Sequence, residues 1–343
     1  MEDLQKTIHY TTESKNICGN LVKYIPTDAK LIEPFVGGGD LVNLFPNHNW
    51  ETYDIDKNTN AQHYQDTLIT PPDYNNKWVI TNPPFLAKNK ASDKAIFDKY
   101  RVDDLYKAFI LSMLDCKGGI IIIPTNFLSD ERSADIRKQF FNRFEILELN
   151  IFTVPVFKTT TYSVCAFAFK QAKSEDKRVI KCNVMPDNNQ YTITLFEKYQ
   201  YRLGGDIVSK IETYNNYFGR LTATTPPTKF VTKIKLYGLD TRNERIHVNF
   251  EDAYIGKPTD RVYATFVCDM IIPEDVQQMM VKMFNEKFEQ FRQDTFDLAL
   301  TNYRDYNRKR VGFDFAYRFL SMIYDECKNK KLFFLYKSII ISV

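Results

Sequence analysis

Cysteine and histidine are too few and too scattered in this chain to build a metal cluster or a disulfide framework. Cys18, Cys116, Cys165, Cys182, Cys268 and Cys327 stand far apart, no Cys-x-x-Cys pair occurs, and only four histidines accompany them. No metal is therefore expected, and the thiols are expected to be reduced, as in a cytosol-like compartment. Long apolar runs are missing too. The longest, 119–124 and 332–343, fall short of the roughly 18 residues that a membrane span needs, so no membrane association is expected. Met1-Glu2-Asp3 opens no basic segment followed by an apolar one, and no secretory signal is expected. Neither a Gly-x-Gly-x-x-Gly fingerprint nor a glycine loop ending in Lys-Ser/Thr occurs, which removes the commonest dinucleotide and nucleoside-triphosphate motifs.

A strong charge of one sign is also absent, with 46 basic and 43 acidic residues giving a net +3. The balance is uneven along the chain. Residues 1–170 hold 19 basic and 21 acidic side chains and residues 171–343 hold 27 and 22, so the second half is the one suited to face a polyanion. What is present is ordinary globular composition, 44% hydrophobic and 26% charged, over 343 residues, a length that favours two domains.

Between 30 and 169 short apolar runs alternate with stretches at helical spacing. Strands are expected at 30–34, 51–55, 77–81, 119–124, 146–150 and 163–169, and helices at 14–25, 103–116 and 131–143. That alternation predicts an α/β domain with a mostly parallel sheet covered by helices on both faces. The polar segment 170–178 reads as its boundary, giving domains 1–170 and 171–343. The second part shows strand-like fragments such as 191–196 and 262–269, and then Val276, Met279, Met280, Met283, Phe284, Phe288 and Phe291 at helical spacing. It is read as an α+β module whose Met and Phe stripe belongs to its core.

Chemistry concentrates at three strand ends. After the first strand comes Glu33-Pro34-Phe35-Val36-Gly37-Gly38-Gly39-Asp40, a turn whose glycines let backbone approach a ligand closely. The second strand ends in Tyr53-Asp54-Ile55-Asp56, placing a carboxylate where it can accept both hydroxyls of a ribose, and Asp66 follows in a loop. The third ends in Thr81-Asn82-Pro83-Pro84-Phe85. Its proline pair removes two amide donors and leaves the Asn82 carboxamide oxygen and the Pro83 carbonyl as acceptors for an exocyclic amine, beside the flat face of Phe85.

In this combination the chain resembles the S-adenosylmethionine-dependent DNA methyltransferases that modify adenine at N6, in the gamma-class order of restriction-modification enzymes. That order is cofactor motifs, then Asn-Pro-Pro-Phe, then a target-recognition domain. The resemblance covers residues 7–169 and implies a Rossmann-like catalytic domain at 1–170 and a DNA target-recognition domain at 171–343. It implies that Tyr10-Thr11-Thr12, with His9-Tyr10 in place of the family's usual residues, supplies Thr11 over the methionine part of the cofactor. By the same resemblance, Glu33 binds the cofactor's amino group above the turn of Phe35 and Gly37, and Asp54 binds its ribose. Ile55 and Phe109 form the adenine walls, and Asp66 accepts its exocyclic amine. Asn82, Pro83, Phe85 and Phe157 would hold the target base, with Asn82 also touching the cofactor.

The implied reaction rotates an adenine out of the duplex and transfers the methyl group directly to N6, with no cysteine nucleophile and no metal. Sequence reading would fall to basic residues of the second half: Arg304, Arg308, Lys309 and Arg310 beside Tyr303 and Tyr306, together with Arg202, Arg220, Lys229, Lys233, Lys235, Arg242 and Arg245. The Lys- and Arg-bearing stretch 88–101 is a second contact region, read as a loop. Double-stranded DNA is the implied partner, with room for a cognate restriction endonuclease, and the implied location is the cytoplasm of a bacterium or of a virus-infected cell. The same Asn-Pro-Pro-Phe site would also serve an RNA or protein amino-group methyltransferase, and an inert DNA-binding protein built on this core is the other alternative.

Overall fold

The computed structural model describes residues 14–341 except 158–161, 216, 242, 258, 259, 261, 296, 298, 299 and 301–308, with side chains described to residue 329. Two compact units divide at 203/204. The first contains α1 (Ser14–Cys18), β1 (Lys30–Glu33), β2 (Asn49–Asp54), β3 (His63–Tyr64), β4 (Trp78–Thr81), α2 (Ala95–Tyr100) and α3 (Leu105–Ser112). It continues through β5 (Gly118–Pro124), α4 (Asn126–Ser129), α5 (Ala134–Phe141), β6 (Phe144–Phe152), β7 (Val164–Gln171), β8 (Lys177–Met185) and β9 (Asn189–Phe196).

All nine strands form one sheet in the order β3-β2-β1-β4-β5-β7-β6-β8-β9. Pairing is parallel except where β7 runs antiparallel between β5 and β6 and where β9 returns along β8. The expected mostly parallel, Rossmann-like sheet is therefore present. β5, Gly-Gly-Ile-Ile-Ile-Ile-Pro, is buried along its whole length, as a strand covered on both faces must be. A Cβ at Gly119 would lie 1.9 Å from the Val79 carbonyl oxygen, so only glycine lets β5 lie this close to β4. Phe127, Phe140, Phe144, Phe167 and Phe169 fill one side of the core with ring contacts at 5.1–6.1 Å.

The unit boundary differs from the expected 170/171 because β8 and β9 extend the first sheet. Two buried polar arrangements attach them. Glu148 on β6 accepts from Asn183 of β8 at 2.7 Å, from Asn20 at 2.8 Å and from Tyr24 at 2.7 Å, and it pairs with Lys23 at 2.8 Å. Burial pushes this carboxyl up, but the donors from Lys23, Tyr24, Asn183 and Asn20 outweigh it and hold the group at about 2. Arg178 of β8, 4% exposed, donates to the carbonyls of Phe141 and Lys173 at 2.8 and 2.6 Å.

The second unit begins with α6 (Gly205–Glu212) and carries β10 (Phe218–Arg220), β11 (Phe230–Tyr237), β12 (His247–Phe250) and β13 (Tyr263–Cys268), an antiparallel sheet in the order β10-β13-β11-β12. Its long helices are α7 (Glu274–Asp294) and α8 (Phe313–Ile341). Met280, Met283, Phe284, Phe288 and Phe291 of α7 are buried with Ile234, Leu236, Val248 and Phe266 of the sheet. The α+β reading and the assignment of the stripe to the core agree with this packing. Among the described residues no helix is long and apolar enough to cross a membrane, and no cluster of three or more His, Cys, Asp or Glu could hold a metal ion.

Candidate functional site

β2, β1 and β4 lie side by side and parallel, so the residues at their carboxyl ends, Asp54, Glu33 and Thr81-Asn82, meet at one edge of the sheet. The strand order reverses between β1 and β4, the place where open α/β sheets leave a crevice. An open cleft of about 930 Å³, mouth included, lies there. Of the residues singled out from the sequence, Glu33, Phe35, Gly37, Asp54, Ile55, Asp66, Asn82, Pro83 and Phe85 line it.

The glycine turn is built by four hydrogen bonds. Val36 N–H donates to the Tyr53 carbonyl at 2.9 Å, Gly39 N–H to the Val36 carbonyl at 2.8 Å, Gly37 N–H to Asp54 Oδ2 at 2.8 Å, and Phe35 N–H to Glu33 Oε1 at 3.0 Å. Gly37 and Gly39 have φ of 49° and 81°, in the left-handed region that side chains resist. Asp54 thus ties β2 to the turn, and its Oδ1 accepts the Asp56 N–H at 2.8 Å. Glu33, 1% exposed, also receives the Thr81 hydroxyl at 2.6 Å. Burial pushes the Glu33 carboxyl up to about 8, against the pull of these two donors and with a further push from Asp54.

Asp66 Oδ1 accepts the N–H groups of Leu68 and Ile69 at 2.9 and 3.2 Å, which fixes a turn whose Thr67 and Leu68 reach the cleft. Ile55, 39% exposed, stands at the mouth as an apolar wall. Asn82 is half-buried directly after β4, and Phe85 is 5% exposed with its ring edge-on to Tyr106 at 6.3 Å. The chain after Phe85 is anchored to the start of α3: Leu86 N–H donates to Asp104 Oδ1 at 3.1 Å and Leu105 N–H to the Leu86 carbonyl at 3.1 Å. Burial raises the Asp104 carboxyl to about 7.

Two described residues expected at the site, Phe109 and Phe157, do not line the cleft. Phe109 lies fully buried behind Phe35, edge-on at 5.3 Å, and so supports the wall from within. Phe157 is buried, next to residues outside the described set. Thr11 lies outside the described residues, as do Arg242, Arg304 and Arg308. Arg310 is half-buried and pairs through its backbone with Leu239. Of the other basic candidates, Lys229, Lys233, Lys235 and Arg245 pair with Asp269, Glu274, Glu251 and Glu289. Arg202 and Arg220 donate to the carbonyls of Ser129 and Asp260.

Three contributors were not foreseen. Thr81 orients Glu33, and its place at the end of the strand beside β1 was the available signal. Asp40 lines the cleft, and its carbonyl accepts the Ser14 hydroxyl at 2.9 Å. Ile96 of α2 also lines it, although 88–101 was read as a charged loop.

The family model described as N-6 DNA Methylase matches residues 42–248, more than half of the chain. The chain belongs to the N-6 DNA methylase family. The matched stretch holds Asp54, Asp66 and the Asn-Pro-Pro-Phe segment, while Glu33 and Gly37 precede it. No curated protein matches this family member. Among solved structures it is similar to a modification subunit attributed to a type I restriction enzyme of Vibrio vulnificus YJ016, at 12% identity and a TM-score of 0.43, over 53% of this chain and 48% of that one. The methyltransferase subunit of a type I restriction-modification system of Streptococcus thermophilus gives 14% and 0.39, over 51% and 47%. The M protein of the type I restriction enzyme EcoKI gives 14% and 0.40, over 51% and 48%. This N-6 DNA methylase family member thus spans about half the length of these solved relatives.

Proposed function

We propose that the chain transfers a methyl group from S-adenosylmethionine to the exocyclic N6 amine of an adenine rotated out of duplex DNA, in the gamma-class arrangement. One observation carries the reading: Glu33, Asp40, Asp54 and Asp66 line the cleft, no Lys, Arg or His does so among the described residues, and Asn82-Pro83-Pro84-Phe85 forms part of the same wall. A lining this rich in carboxyl groups disfavours the phosphates of a nucleotide and suits a ligand bearing an ammonium, a sulfonium and a ribose. The bound cofactor supplies an electrophilic methyl group on its sulfonium.

Glu33 takes the cofactor's amino group, and Asp54, already fixed by Gly37 and Asp56, uses its remaining lone pairs for the ribose hydroxyls. Ile55 and Phe35, the latter backed by Phe109, bound the adenine side. On the substrate side Asn82 and the Pro83 carbonyl accept the two amine hydrogens, which draws the nitrogen lone pair out of conjugation and aims it at the methyl group. Phe85 contacts the base, and base–aromatic contact of this kind offsets roughly 1–3 kcal/mol of the unstacking cost. Orientation and preorganised acceptors then account for the rate. Duplex DNA is the proposed partner, read by the second unit, and a restriction endonuclease of the same site is the proposed companion.

Labelled methyl groups offered to unmethylated duplex DNA, RNA and protein are expected to appear in the DNA. Label confined to RNA or protein contradicts the substrate assignment, and no binding of S-adenosylmethionine at all contradicts the cofactor assignment.

Glu33 gives a second expected result. With its carboxyl at about 8, the free protein holds a proton there at about pH 7, and pairing with an ammonium drives that proton off. Cofactor binding at about pH 7 should release close to one proton, and affinity should rise as pH approaches the free-state value. Calorimetry in buffers of different ionisation enthalpy reads this release, and heats independent of the buffer would contradict it. The linkage to folding has the same origin. The folded-state value is raised, so this group's stabilisation is full below its ordinary 4.5 and is lost as pH rises through about 8.

A further inference from the structure

Two side chains of α2 end on one turn of the cleft. Lys99 Nζ donates to the carbonyls of Leu68 and Ile69 at 3.2 and 2.9 Å, and the Tyr100 hydroxyl donates to the Leu68 carbonyl at 3.1 Å. The Lys99 ammonium lies 4.8 Å from the centre of the Tyr100 ring, so the two side chains also hold each other. From the opposite side, Asp66 Oδ1 takes the N–H groups of the same Leu68 and Ile69, and Thr70 N–H donates to the Asp66 carbonyl at 2.9 Å. Residues 66–70 are therefore clamped from both directions, amide hydrogens by Asp66 and carbonyls by α2. Asp66 lines the cleft, and among the described residues its Oδ1 alone of the two carboxylate oxygens takes part in hydrogen bonds, which leaves Oδ2 for a ligand. Ile96, one turn before Lys99 and Tyr100 on the helix, lines the same cleft as Leu68.

We propose that Lys99 and Tyr100 are positioning residues that hold Asp66 Oδ2 to accept a hydrogen from the exocyclic amine of the bound cofactor's base, and so make the site prefer an amino-purine to an oxo-purine. The inference rests on the S-adenosylmethionine reading of the cleft. A carboxylate oxygen held in place attracts an amine hydrogen and repels a carbonyl oxygen, so a 6-oxo base loses a charge-assisted bond and meets a like charge. If the turn relaxes, the oxygen moves and both effects fade together.

The test compares binding of S-adenosylhomocysteine with its hypoxanthine analogue, S-inosylhomocysteine, by calorimetry on the full chain. The unsubstituted protein is expected to prefer the amino-purine by on the order of 10- to 100-fold, the range for one hydrogen bond to a charged group. The double variant Lys99→Met, Tyr100→Phe should reduce that preference to about threefold or less, by weakening S-adenosylhomocysteine while the analogue changes little. Tyr100→Phe alone removes one hydroxyl, keeps the ring, and should shift the preference in the same direction if the double variant does not fold. Ile96→Ala changes the cleft wall without touching the clamp and should weaken both ligands alike, leaving the preference intact. An undiminished preference in both clamp variants overturns the proposal, because a merely structural role lowers both affinities equally. Failure of the unsubstituted protein to bind either nucleoside overturns the cofactor assignment itself, and the proposal with it.

Discussion

An Asn82→Ala variant is expected to lose methyl transfer by on the order of 100-fold or more while cofactor affinity stays within about threefold, the scale seen when one preorganised acceptor is removed from a water-poor site. Asn82 directly follows β4 and lines the same cleft as Glu33, and in the proposed mechanism its amide accepts from the incoming amine. Single-turnover rates with saturating cofactor, set beside calorimetric affinities, separate the two effects. A variant that keeps half of the original rate would remove the amide from the mechanism.

The second large effect is expected at Asp54. Two ribose hydrogen bonds to a charged group are worth roughly 1.5–3 kcal/mol each, so Asp54→Ala should weaken cofactor binding by about 100-fold or more. Part of that loss has a different origin, because Asp54 Oδ2 also receives the Gly37 N–H and shapes the glycine turn. Asp54→Asn keeps one acceptor oxygen and the side-chain volume, and should lose less than the alanine variant. Equal affinity in all three proteins would mean that the ribose is held elsewhere.

Glu33, Asp54 and Asn82 were legible because each stands at or just after the end of an expected strand, and a polar residue at that point falls at the sheet's carboxyl edge. Phe109 was expected as a cleft wall but lies behind Phe35, since spacing along a helix does not tell a ring that faces a cleft from one that sits one layer deeper. Polar residues turned inward were the main source of error. Arg178 closes the polar segment expected to be the domain boundary, yet carbonyls satisfy it inside the protein, and with the Glu148–Asn183 hydrogen bond it joins β8 to the first sheet. The stretch 88–101 misled for the opposite reason. Its lysines suggested an open loop, but Lys99 serves as a donor to carbonyls at the end of a short helix, and the apolar run Ala95-Ile96-Phe97 is too brief to show a helical period. β3 is two residues long and too short to show any pattern.

The most direct measurement is the identity of the methylated nucleoside. Unmethylated duplex DNA is incubated with the protein and S-adenosylmethionine, digested to nucleosides, and resolved by mass spectrometry. The account predicts N6-methyl-2′-deoxyadenosine with the unsubstituted protein and its near absence with Asn82→Ala. A methylated cytosine in its place, or no methylated nucleoside from a protein that binds the cofactor and the DNA, would contradict the central claim.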